Sequence, residues 1–257
     1  MKKWSIFAII LMLIPALTTA QSRVRAEDIL QQINDEKAVH YTNAVIEGDL
    51  DLTSLKDWTP DKNNRKNSRW NTQTFWHHVR SSMIFIDCTF NGDVTAYHHD
   101  EWKNETRNVI FHEDTSFSGC RFREDSAFKY VRFEKGADFK GTSFSREALF
   151  KYTGFSGDVS FAGASFGRDA NFKYTRFPDF VSFNEAEFRR EANFKYTKFP
   201  RGVSFKNAAF KSFANFKYSK FSDPFDFDGT EFDGDIDLKY TKLNGRSFNR
   251  YLLQNRK

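Results

Sequence analysis

The sequence predicts an all-β solenoid that completes one turn every 22 residues. Three observations carry this reading. The string Phe-Lys-Tyr recurs at Phe128, Phe150, Phe172, Phe194 and Phe216, with Leu238-Lys239-Tyr240 as a softened last copy. Large apolar residues keep a finer step, alternating six and five from Phe111 to Phe232 and ending on Leu238 and Leu243. The residue two before each of them is small, as at Ala137, Thr142, Ala148, Thr153, Val159 and Ala164. Regular repetition at this scale builds a stack of structural units.

An amphipathic helix needs apolar residues three and four apart, and a simple strand needs them at every second position. Neither gives steps of five and six. A step of two, however, puts both residues on one side of an extended segment. Each short face therefore points one large and one small side chain inward, while Lys, Arg, Asp, Asn, Ser and Tyr point out. Faces of five, six, five and six residues sum to 22, so the coil has four sides. A three-sided β-helix would show three apolar clusters per turn, and this sequence has four.

Ala137-Asp138-Phe139, Ala170-Asn171-Phe172, Ala192-Asn193-Phe194 and Ala214-Asn215-Phe216 carry a further likeness. A small residue, then Asp or Asn, then Phe or Leu resembles the motif of the pentapeptide-repeat family, over roughly residues 83–243. The resemblance implies a right-handed quadrilateral β-helix. The extra residue in alternate faces departs from the family pattern and should widen two opposite corners. Some cytoplasmic members bind DNA gyrase by imitating the charge of DNA. The basic repeat face and the N-terminal leader of this chain argue against that partner.

In chain order, residues 1–20 read as a signal peptide: Lys2 and Lys3, an apolar run from Ile6 to Leu17, and a small-residue cleavage site at Thr18-Thr19-Ala20. The run is short for a membrane span. The mature chain is expected to start near Gln21, without a transmembrane segment, in the periplasm or outside the cell. Residues 21–45 read as an N-terminal cap holding a short helix over 25–36, with Ile29, Leu30 and Ile33 on one face. The β-helix is assigned to 46–243, with Ala44 to Leu52 leading into its first coil, an inserted loop at 56–82 and a degenerate stretch at 98–108. Residues 244–257 form a C-terminal cap, in which Phe248, Tyr251, Leu252 and Leu253 offer an end cover or a homodimer contact.

The formal charge of +5 and the isoelectric point near 9.0 favour anionic partners. The candidate surface is the outward column Lys129, Lys151, Lys173, Lys195, Lys217 and Lys239 beside Tyr130, Tyr152, Tyr174, Tyr196, Tyr218 and Tyr240. The next corner adds Arg132, Arg176, Lys198, Lys220 and Lys242. Stacked coils bring these charges well within a Debye length of about 8–10 Å. The stripe could hold an acidic polysaccharide, lipopolysaccharide or DNA, with the Tyr rings as stacking faces. Against this stands the alternative of a structural or protein-interaction scaffold using the 56–82 loop or the end caps. Tandem duplication copies outward residues along with inward ones, and Lys stems pack well over Tyr rings.

Other clusters carry less. Asp125, Glu147, Asp169, Glu191 and Asp235 form a column expected to pair with Arg146, Arg168 and Arg190. The run Asp223, Asp226, Asp228, Glu231, Asp233, Asp235 and Asp237 lacks calcium-loop spacing. The pairs His77-His78 and His98-His99, with His112, lack zinc-site spacing. No metal or cofactor is expected. Cys88 and Cys120 each fill a small inward slot, and 22-residue counting puts them on opposite faces about one and a half coils apart. A disulfide needs α-carbons within about 7 Å, so two free, buried thiols are expected. No nucleophile elbow, phosphate loop or Cys–His pairing is present, and no enzyme activity is expected.

Overall fold

Each inward pair of the sequence becomes one short strand, and corners turn the chain between strands. The computed structural model describes residues 21–62 and 72–248. The strands stack in register into four walls, almost all parallel. One wall has nine strands, two have eight, and the fourth runs as six-stranded and four-stranded segments joined by bridges at Arg176. Phe144 pairs with Phe166, and Phe166 with Phe188, one 22-residue coil apart.

Every large inward position from Phe85 to Phe221 is buried. Along the axis the rings lie face to face, as with Phe166 and Phe188 at 4.8 Å and 3°. Across the interior they meet edge to face, as with Phe161 and Phe172 at 5.2 Å and 82°. The alanines two residues earlier, such as Ala164, Ala170 and Ala186, leave the space those rings fill. Burial of one Phe contributes about 1.5–3 kcal/mol, and each well-placed ring pair about 0.5–1.5 kcal/mol more.

The expected widening appears at two opposite corners. Between Phe155 and Val159, and between Phe166 and Ala170, three residues turn the chain; at the other two corners it takes two. The tight corners need positive φ: Gly141 and Gly163 supply it at one, Tyr152 and Tyr174 at the other. After each tight corner a hydroxyl is common because it gives an inward carbonyl a second donor beside the backbone N–H that closes the corner. Thr153, Thr175, Thr197 and Thr241 donate to the carbonyls of Phe128, Phe150, Phe172 and Phe216 in the preceding coil, at 2.6–2.7 Å.

The helix Ala26–Asn34 covers the N-terminal end of the core with Ala26, Ile29 and Ile33, while Leu30 is only half-buried. The strand Ser22–Arg25 precedes it and pairs with Ala44–Glu47. Walls also begin at Val39–Thr42, which pairs with Met83–Ile86. Phe248 is buried beneath the last coil, and Arg246–Ser247 folds back on Lys242–Leu243. Tyr251, Leu252 and Leu253 lie outside the described residues, as do residues 1–20 with the expected signal peptide.

The segment 56–82 is a loop only in part, which corrects the sequence reading. Gln73–Val79 is a wall strand, in register with Glu105–Phe111 along its whole length. The 22-residue rhythm fails to mark it because this coil is longer. Tyr97–Asp100 turns back antiparallel on Glu105–Phe111, so Val79 pairs with Phe111, 32 positions on.

The same insertion corrects the cysteine geometry. Thr89 pairs with Arg121 and Phe90 with Phe122, so Cys88 and Cys120 are stacked on one wall, a single coil apart. Both thiols are nevertheless free and buried. Their hydrogen bond and burial push the Cys120 thiol up.

Candidate functional site

The Lys-Tyr corner is built by the residue before its Phe. Asn171, Asn193 and Asn215 accept from the backbone N–H of Lys173, Lys195 and Lys217 at 3.1–3.2 Å, which fixes the turn. The next residue, Tyr, sits in the left-handed region in all six copies, with φ from 59° to 63°. For a residue with a Cβ that conformation costs on the order of 1–2 kcal/mol. The opposite corner relieves it with Gly119, Gly141, Gly163 and Gly229, or with Asn207, while Glu185 bears the same conformation there at φ 59°.

A continuous phenol stack offsets the strain. Tyr152 lies 4.7 Å from Tyr174 and 2° from parallel, and Tyr174 meets Tyr196 with the same geometry. Tyr130 starts the column and Tyr240 ends it. This corrects one expectation. Inside the column both ring faces are covered by neighbouring Tyr, so they present edges and hydroxyls and cannot stack on a sugar or base. Each ammonium leans over the ring of its own coil, with Nζ 5.2–5.6 Å from the centroid for Lys151, Lys173, Lys195, Lys217 and Lys239.

Exposed cations flank the other side of the stack: Arg132, Arg176, Lys198, Lys220 and Lys242, with Gly154 in the slot between the first two. Among the described residues, no carboxylate lies within 4.0 Å of any cation of either column. Partial burial, then the neighbouring Lys173 and Lys129 charges, lower the pKa of Lys151.

The acidic column has another job. Asp125 and Asp169 accept from the backbone N–H of Glu147 and Glu191 in the next coil, at 3.1 and 3.3 Å. Burial, then Asp125 and Asp169, raise the Glu147 pKa. The expected pairing with arginines is not seen: Arg146 meets Glu124 instead, at 3.6 Å.

The family model for pentapeptide repeats (9 copies) matches residues 107–154, 150–198 and 194–242. The chain belongs to the pentapeptide-repeat family. No curated protein and no solved structure matches it.

This pentapeptide-repeat protein also has a concave site that sequence reasoning missed. A cleft of about 610 Å³ opens where the Lys/Tyr column meets the irregular first coils. One wall is the outer face of the long strands, where Tyr97, Asn108 and Trp76 share one row of the register and His99, Thr106 and Thr74 another. The other is the start of the ladder: Lys129, Tyr130, Arg132, Tyr152 and Gly154. Lys129 donates to the Tyr97 hydroxyl at 3.0 Å and lies 4.3 Å from that ring's centroid. Arg132 covers the face of Trp76 at 4.2 Å. The indole N–H of Trp76 donates to Asp61 at 2.8 Å. The available sequence signal was Gly154, which breaks a column of Arg and Lys.

The histidines are partly brought together. His112 donates to Glu134 at 2.6 Å through Nδ1, and its Nε2 shares a hydrogen bond with His78 Nδ1 at 2.7 Å. The remaining nitrogen of His78 lies 3.1 Å from the Thr59 hydroxyl, which donates to the Trp76 carbonyl. His99 instead bonds Thr106, and His77 donates to the Lys56 carbonyl. Among the described residues no group of three His, Cys, Asp or Glu is arranged to hold a metal ion. In the acidic run, Lys211 takes Glu231 and Asp233, while Asp226 and Asp237 cap the N–H groups of Asp228 and Lys239.

Proposed function

We propose that this protein is an exported, non-catalytic binding solenoid that holds a linear polyanion along its Lys/Tyr corner. The carrying observation is the pair of parallel cation columns without a carboxylate in ion-pair range among the described residues. Lys129 to Lys239 run on one side of the phenol stack, and Arg132, Arg176, Lys198, Lys220 and Lys242 on the other. Charges repeated once per coil on a rigid wall suit a ligand whose own charges repeat, such as an acidic polysaccharide, lipopolysaccharide or DNA. The phenol edges and hydroxyls contribute hydrogen bonds in this account, and the ring faces contribute none. Export rests on the leader-like sequence of residues 1–20.

The test is retention on a heparin-type column across a salt gradient, for the protein and for a variant with Lys151→Glu, Lys173→Glu and Lys195→Glu. The reading expects the protein to elute late and the folded variant early. Co-elution would favour the alternative scaffold role through the 56–82 segment, the end caps or a protein partner. The ammonium-over-ring contacts support that alternative, since they give each Lys a structural use of its own.

A further inference from the structure

The cleft between Trp76, Tyr97 and the first rungs of the ladder is built unlike the rest of the surface. Its two cations are held in place: Lys129 by the hydroxyl and ring of Tyr97, Arg132 by the indole of Trp76. Among the described residues neither has a carboxylate within 4.0 Å, although Asp61 lines the same cleft. Aromatic faces thus orient both charges without neutralising them.

Asn108 is a second, independent sign of a ligand. It lines the cleft, is only 3% exposed, and its side-chain oxygen has no hydrogen-bond partner. A buried amide left this way costs about 1–3 kcal/mol. Rotation about its last torsion lets the side chain offer either a donor or an acceptor to an occupant.

Gly154 is the third. Its backbone does not lie in the left-handed region, and an added Cβ would meet only the Cγ of Arg132, at 3.8 Å, an ordinary contact. Neither backbone nor space demands glycine there. Every other member of that column from Arg132 to Lys242 is Arg or Lys, so the missing side chain is what leaves the cleft open.

The lining also selects the chemistry. The face of Trp76 is taken by Arg132, one face of Tyr130 is stacked on Tyr152, and the Tyr97 ring leans across its other side at 5.6 Å and 42°, so a nucleobase finds no flat open platform. Thr106, Asn108 and His99 make a polar floor unsuited to an apolar ligand. Short hydroxyl and amide groups beside two fixed cations match a polyhydroxylated anion.

From these features we propose that the cleft is a binding site for a short acidic oligosaccharide, with a uronate carboxylate held between Lys129 and Arg132 and sugar hydroxyls meeting Asn108 and Thr106. A short oligosaccharide could seat here even if the ladder holds no polymer.

The test is calorimetric titration of the full chain with a uronic acid trisaccharide and with its carboxyl-reduced, neutral counterpart. The acidic sugar should bind at least tenfold more tightly than the neutral one. Gly154→Arg should weaken it tenfold or more although it adds a positive charge, and Asn108→Ala should do the same with an unfolding transition no lower than that of the unsubstituted protein. Lys195→Glu with Lys217→Glu, at the far end of the ladder, should leave trisaccharide affinity within twofold while abolishing late elution from heparin. Absence of binding, equal binding of the two sugars, or equal or tighter binding by Gly154→Arg would overturn the proposal. So would an equal loss in the far-end variant, which would signify diffuse attraction.

Discussion

Tyr152 and Tyr174 hold their rings 4.7 Å apart and 2° from parallel, each on a backbone with φ near 60° (60° and 62°). The stack and the strain belong together: the left-handed corner turns every phenol the same way, so that the rings stack along the axis, and the stack stabilises the corner.

Substitution at Tyr174 should separate the two effects. Tyr174→Ala keeps the strained φ and loses both ring contacts, whereas Tyr174→Gly loses the contacts and relaxes the backbone. Both should destabilise, with Ala worse than Gly by about 1 kcal/mol. Denaturant unfolding checks the order, and an Ala variant as stable as the Gly one would refute the strain argument.

Thr175→Val keeps shape but removes the hydroxyl that donates to Phe150 at 2.6 Å. The carbonyl keeps its bond from the Thr153 backbone N–H at 3.1 Å, so the loss should be that of one ordinary hydrogen bond, about 0.5–1.5 kcal/mol. A Val variant of unchanged stability would mean that the hydroxyl adds no net stabilisation to the corner.

Acid should weaken the long-strand region first. His77 and His78 both have pKa values below the usual 6.5, through burial foremost; the Lys56 carbonyl opposes the shift at His77, and the neighbouring His112 adds to it at His78. A depressed folded pKa means that the unfolded chain binds protons first. The stabilisation is complete above about pH 6.5 and fades as pH falls through the lower folded values. Amide protection factors at Gln73–Val79 should therefore fall between pH 7 and pH 5, so that exchange slows less than the intrinsic rate does. Unchanged protection would contradict the assignment.

Cys88 and Cys120 should resist a thiol reagent in the folded protein and both react after unfolding, since each is 1% exposed or less. Rapid native labelling of either would show that the N-terminal wall opens.

The repeat region was legible because inward and outward positions obey one local rule. Phe161 with Val159, or Phe166 with Ala164, announces a strand within three residues. The first coils were not legible, since Gln73–Val79 gains its place from pairing with Glu105–Phe111 rather than from its own pattern. One unrecognised hairpin shifted the count by ten positions and moved Cys88 to the wrong wall relative to Cys120. At the ladder, sequence placed Lys and Tyr outward, but ring orientation depends on φ and on the 4.7 Å repeat, and these bury the faces. The cleft joins Trp76, Tyr97, Asn108 and Gly154 across four segments, so no spacing motif could mark it.

The most direct measurement is the affinity of length-defined acidic oligosaccharides for the protein at fixed salt. A rigid ladder from Lys129 to Lys239 spans five coil steps, roughly 24 Å at about 4.8 Å each. Affinity should climb with ligand length until the oligomer covers that span and then level off, with the plateau moved to shorter ligands by Lys195→Glu and Lys217→Glu. Affinity independent of length, or unaltered in the variant, would contradict a polyanion-binding ladder.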